Sequence, residues 1–145
     1  MCLPMAVDSP ERILGRGEHL GFEWMVLGNH MGYRCGYVRV MPDHPWHGKG
    51  YNDVQDASGD CPDCHGGLTF AAADKACDKP GDDNGWWLGF DCGHWGDAPD
   101  PELPDYHESY FGGGGEVRTQ AYVEAQCRHL CSQAARLVEV AHVDA

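Results

Sequence analysis

The sequence predicts an α+β fold: a small, mostly antiparallel sheet with long loops, packed by one C-terminal amphipathic helix. Two observations carry this expectation. Short runs rich in aromatic and β-branched residues, FEWMVLG (22–28), YRCGYVRVM (33–41) and WWLGFDC (86–92), are separated by clusters of Gly, Pro, Asn and Asp, as strands are. One segment, RTQAYVEAQCRHLCSQAARLVEV (118–140), repeats apolar residues every three or four positions, as a helix with a single buried face does.

Taken in order, residues 1–20 are mixed and polar and read as an irregular N-terminal arm or a short helix. The runs 22–28 and 33–41 form a β-hairpin, because NHMG between them places Asn29 and Gly32 in a turn. Residues 42–64 have three prolines, three glycines and no period, and so read as a long loop of the kind that often carries function. GGLTFA (66–71) and WWLGFDC (86–92) are two further strands, with AADKACDKPGDDNG (72–85) as a polar turn region. Residues 93–116 are again loop and end in FGGGGEV, a glycine tether. In the closing helix Val123, Cys127, Leu130, Cys131, Ala134, Leu137 and Val138 form the apolar stripe that must cover one face of the sheet.

Composition supports one domain over residues 1–145 with a small core. Leu, Ile, Val and Phe number only 24, under a fifth of the 145 residues, and the net charge is −13. Five Trp, six Tyr and five Met supply the buried area that the aliphatic residues do not. With 23 acidic against 10 basic residues, phosphate backbones are repelled over most of the surface, which argues against duplex nucleic acid as a partner. No run approaches the roughly 18 apolar residues of a membrane span, and MCLPMAVDSPERIL lacks the basic start of an export signal. A cytoplasmic protein is expected, whose eight cysteines serve as thiols or metal ligands rather than disulfides.

Candidate site residues follow from alternation. In the strand 86–92, Trp86, Leu88, Phe90 and Cys92 share one face, and Trp87, Gly89 and Asp91 the other. In 65–70, Leu68 and Phe70 point one way, and His65, Gly67 and Thr69 the other. Neighbouring strands would then present a glycine floor, Gly67 and Gly89, ringed by His65, Thr69, Trp87 and Asp91. His94 and Asp97 follow just past the strand end. Imidazole and carboxylate donors suit a ligand pocket or an open metal site that activates water for hydrolysis. HPWHGKGY (44–51) offers His44 and Trp46 as a ligand lid, and Tyr37 stands on the hairpin face opposite Val38 and Val40. CPDC (61–64) has the two-residue gap of a zinc knuckle; Cys77, Cys92 and His94 are the candidates to complete a site with Cys61 and Cys64, with His65 also adjacent. The bland readings are thiols in a loop, carboxylates bonded to turn amides and a tryptophan plugging the core. No nucleophile-elbow, P-loop or dinucleotide motif is present.

The succession GYRCGYVRVMPDHPWHGKGY, HGGLTF, WWLGFDCGHWGD and VRTQAYVEAQCRHLCSQ resembles a family of small uncharacterised proteins encoded by bacteriophages and prophages. The likeness spans residues 20 to 137. The family's best-marked positions correspond to Gly36, Tyr37, His44, Pro45, Gly48, Tyr51, His65, Gly66, Gly67, Asp91, Cys92, His94, Gly96 and Asp97. CPDC is not a general family feature. The resemblance implies phage origin, the cytoplasm of an infected bacterial host and a shared pocket; it brings no reaction with it. The leading expectation is an accessory protein that binds a small ligand or a host protein through the His/Asp-lined pocket and modulates host defence or physiology. The alternatives are a metal-dependent hydrolase using the same residues and a protein-binding inhibitor with only a structural zinc.

Overall fold

A computed structural model describes residues 12–74, 84–104, 106 and 115–143, with side chains through Val138. Its main feature is a five-stranded antiparallel sheet in the order β1-β2-β3-β5-β4. The strands are β1 (Ile13–His19), β2 (Phe22–Gly28), β3 (Arg34–Val40), β4 (Phe70–Ala73) and β5 (Trp86–Asp91). Two short strands, β6 (Asp97–Ala98) and β7 (Glu116–Val117), pair in parallel, and α1 (Gln120–Val143) lies across one face of the large sheet. This is the expected α+β class. No helix among the described residues is long and apolar enough to cross a membrane.

The predicted hairpin is β2–β3. Asn29 Oδ1 accepts the backbone N–H of Met31 and Tyr33, which fixes the turn. The N-terminal segment departs from expectation, since Ile13–His19 is a full edge strand paired with β2 rather than an arm. Leu20 and Gly21 join the two strands as a two-residue loop with φ of 53° and 87°. Positive φ at both positions matches the right-handed twist of the strands, which is why so tight a turn forms here. The segment from 93 to 116 also holds β6 and β7, while residues 75–83 and 107–114, including Cys77 and most of the glycine tether, lie outside the described residues.

The sheet buries both faces. Beneath α1, Trp24, Val26, Val38, Val40, Leu88 and Phe90 pack against Val123, Cys127, Leu130, Cys131 and Ala134. Each fully buried aliphatic or Phe side chain contributes about 1.5–3 kcal/mol over exposure, so a modest aliphatic stock suffices when it is gathered in one layer. On the far face a second cluster joins Met25, Leu27, Cys35, Tyr37 and Trp87. Phe70 belongs to that far side, edge-on to Tyr37 at 5.4 Å, and not with Leu68, which packs on the helix side. The alternation expected over 65–70 fails because β4 begins only at Phe70: Gly66 and Gly67 have φ of 70° and 80°, outside any strand.

The 42–64 segment is a loop, as expected, but it runs inward. Trp46 and Val54 are 1% exposed and sit in the core under α1. Trp46 Nε1 donates to the Gln55 carbonyl at 2.8 Å, and His44 Nε2 bonds the Ala134 carbonyl of α1 at 2.9 Å. The lid expected of His44 and Trp46 does not form: His44 fastens the loop to α1, while Trp46 is packed in the core and bonded within its own loop.

Candidate functional site

The HGG and DCGHWGD segments meet at one end of the sheet. Gly67 N–H donates to the Cys64 carbonyl at 3.0 Å, closing a tight turn that places His65 at its corner. Gly66 is required twice over. Its φ of 70° is costly for any other residue, and a Cβ there would lie 2.4 Å from the His94 ring. On the other side, Asp97 N–H donates to the His94 carbonyl at 2.9 Å, folding residues 94–97 back on themselves. β6 then pairs with β7, which delivers Arg118; Thr119 caps α1 by accepting the Tyr122 N–H at 3.2 Å, so Tyr122 stands on the first turn.

Asp97 is the hub. Its side chain is 1% exposed and accepts Arg118 Nε at 2.7 Å, His65 Nε2 at 2.9 Å and the His94 N–H at 3.0 Å. Burial alone would push this carboxyl up, but the bonds from Arg118, His65 and His94 outweigh it and hold the group below the usual carboxylate range. A carboxylate only accepts, so His65 Nε2 carries the proton; in the neutral ring Nδ1 then accepts the Tyr122 hydroxyl at 2.8 Å. Burial raises the Tyr122 hydroxyl above its ordinary value, keeping it a donor. The Arg118 guanidinium also lies 5.6 Å from the centre of the Tyr122 ring. The chain Tyr122–His65–Asp97–Arg118 thus ties the helix start, the HGG turn and β6 into one frame.

Asp91 and His94 stand beside that frame. The His65 and His94 rings are 6.1 Å apart, and His94 Nε2 is 3.4 Å from Asp91 Oδ1, in ion-pair range without hydrogen-bond alignment. Asp91 accepts the Gly93 N–H at 2.9 Å and the Thr69 hydroxyl at 3.2 Å, which fixes its carboxylate. Both Asp91 and His94 are about one-third exposed and line a cleft of about 450 Å3. Asn29, Cys35, Tyr37, Thr69 and Phe70 form much of its remaining wall. The volume falls in the ordinary range of small-molecule sites, roughly 300–1,000 Å3.

His65, Asp91, His94 and Asp97 lie at one end of the sheet, but only Asp91 and His94 line the cleft; His65 and Asp97 are engaged with each other, Tyr122 and Arg118. The glycine floor does not form: a Cβ on Gly89 would lie 2.4 Å from the Tyr37 ring, so that glycine admits a side chain and not a ligand. Trp87 is fully buried, its Nε1 donating to Asp74 Oδ1 at 2.6 Å, and is no part of an open site. Tyr37 is 3% exposed yet contributes to the cleft wall. Alternation carries no information about residues distant in sequence, so it does not point to Arg118 and Tyr122; the one signal the sequence offers is a lone arginine between the tether and the helix cap. Nor does alternation point to Asp74, whose fully buried side chain binds Arg39, the Trp87 indole and the Gly85 N–H.

The metal readings meet a specific donor set. Among the described residues no three His, Cys, Asp or Glu side chains are grouped to share an ion. Burial pushes the Cys64 thiol up to about 12, Cys61 is exposed, and Cys77 lies outside the described residues. His65 and Asp97 already bind each other, with Arg118 supplying the positive charge. Cys92 is 1% exposed in the core beneath α1 and burial raises its thiol, the opposite of the accessible, electropositive setting that activates a cysteine. Comparison with family models, curated proteins and solved structures finds no match.

Proposed function

We propose that this is a small-molecule-binding protein whose ligand sits in the cleft beside Asp91 and His94. One observation carries the reading: a fixed, partly exposed carboxylate and an imidazole share one rim of a 450 Å3 cleft whose other walls include Tyr37, Phe70 and Met31. Such a site favours a compact ligand with an apolar or planar body and a hydrogen-bond-donating or cationic end directed at Asp91. The Tyr122–His65–Asp97–Arg118 frame acts on the ligand indirectly, by fixing the loop that carries His94. An accessory role in a phage-infected bacterium, acting on host defence or physiology, is the biological setting that the family resemblance supports.

Native mass spectrometry of the untagged protein, compared with its denatured mass, tests the reading. The expected result is a co-purified mass of small-molecule size that is lost on denaturation and absent from a folded Asp91→Ala variant. A mass excess equal to one zinc and removed by chelator would instead support the metal-dependent reading. Binding unaffected by both Asp91→Ala and His94→Ala would place the ligand elsewhere.

A further inference from the structure

Scattered exposed apolar side chains are ordinary, but several around one concavity are not. Leu20, Met41 and Val138 are 60%, 39% and 43% exposed, and all three line a groove of about 590 Å3. The groove lies between the β1–β2 turn, the start of the 42–64 loop and the C-terminal half of α1. Phe22 and Ala135 contribute further apolar wall. Val138 belongs to the apolar stripe of α1 by spacing, yet here the stripe outruns the sheet that covers it. No residue lining this groove lines the Asp91 cleft.

The rim is acidic. Glu18, Glu23 and Asp43 line it, and Glu18 and Asp43 make no ion pair among the described residues. Arg39 also lines the groove, but its guanidinium is engaged by Asp74 and Glu23. We infer that this groove docks a short segment of a partner protein in which a large apolar side chain is flanked by Lys or Arg. The apolar wall takes the anchor, and the carboxylates select its neighbours and speed encounter. A second copy of this chain is disfavoured by the same charges, because a net charge of −13 on each would oppose approach. Nucleic acid is disfavoured likewise.

Selection of random displayed peptides on the immobilised wild-type protein tests this. Two variants discriminate: Val138→Asp places a carboxylate in the apolar wall, and Glu18→Lys with Asp43→Lys reverses the rim without touching the wall. Circular dichroism confirms that each variant is folded. The expected outcome is enrichment of sequences with an apolar anchor beside Lys or Arg, whose synthetic forms bind about tenfold or more weakly to each variant. Their affinity also falls as salt is raised from about 0.05 to 0.5 M. Enriched peptides without basic residues, equal binding to the variants, or no enrichment over an uncoated control would overturn the proposal. So would a wild-type dimer in sedimentation that Val138→Asp dissolves, which would assign the groove to a second copy.

Discussion

Replacing Asp97 by Asn removes one charge and almost no volume, and so isolates what the hub does. The carboxylate accepts three donors, from Arg118, His65 and the His94 backbone. An amide retains one acceptor oxygen and turns an NH2 toward at least one of those donors. Hydrogen bonds to charged groups contribute about 1.5–3 kcal/mol each when buried. The Arg118 side chain is 23% exposed and recovers hydration, so its share falls toward the small value of an exposed pair. The expected net loss is about 2–3 kcal/mol, or roughly 5–10 °C in Tm for a domain of this size. Urea titration followed by tryptophan fluorescence measures it. The pH dependence has a definite sign. The folded-state pKa of Asp97 is depressed below its ordinary value of 3.8, so its stabilisation is complete above that pH and is lost as pH falls through the folded value. The Asp97→Asn variant has no titrating group at this position, so the gap between wild type and variant should be widest at neutral pH and close on the acid side of 3.8. A neutral-pH gap under about 0.5 kcal/mol, or one that stays constant into acid, would refute the hub.

Other substitutions probe separate parts of the molecule. Leu20→Asn should raise Tm by about 2–4 °C, because Asn enters the left-handed region more readily than the Leu now held at φ 53°. Gly66→Ala should cost about 2–4 kcal/mol in chemical denaturation, through its positive φ and the His94 ring against it. Asp74→Ala should cost about 2–3 kcal/mol, since it removes the buried acceptor that Arg39 and the Trp87 N–H share while Arg39 keeps Glu23; an unchanged denaturation midpoint would contradict that assignment. Trp95 is fully exposed, so Trp95→Ala should leave stability within about 0.5 kcal/mol of wild type.

How much of this could be read from the sequence depends on the range of the interaction. The β2–β3 hairpin and α1 followed from local periodicity and from Asn29, whose side chain builds its own turn. β1 is not legible in the sequence, because ILGRGEH has no clean alternation and Leu20-Gly21 is not the Asn-Gly or Asp-Gly pair that marks such a turn. The face of Phe70 departs from simple alternation because two left-handed glycines shift where β4 begins. His65, Asp91, His94 and Asp97 are legible in the sequence as imidazole and carboxylate residues near strand ends. Their partners Arg118 and Tyr122 are not, since Tyr122 lies 57 positions from His65 and only the fold brings them together. Composition likewise marked 42–64 as loop but could not show that His44 and Trp46 turn inward to α1.

The most direct test of the central claim is to titrate isotopically labelled protein with a bacterial metabolite extract and follow the backbone amide resonances. Ligand binding beside Asp91 and His94 predicts shifts concentrated at Asn29, Cys35, Tyr37, Thr69 and residues 91–94, and lost in Asp91→Ala. Shifts confined to other surfaces, or the same shifts in the variant, would contradict it.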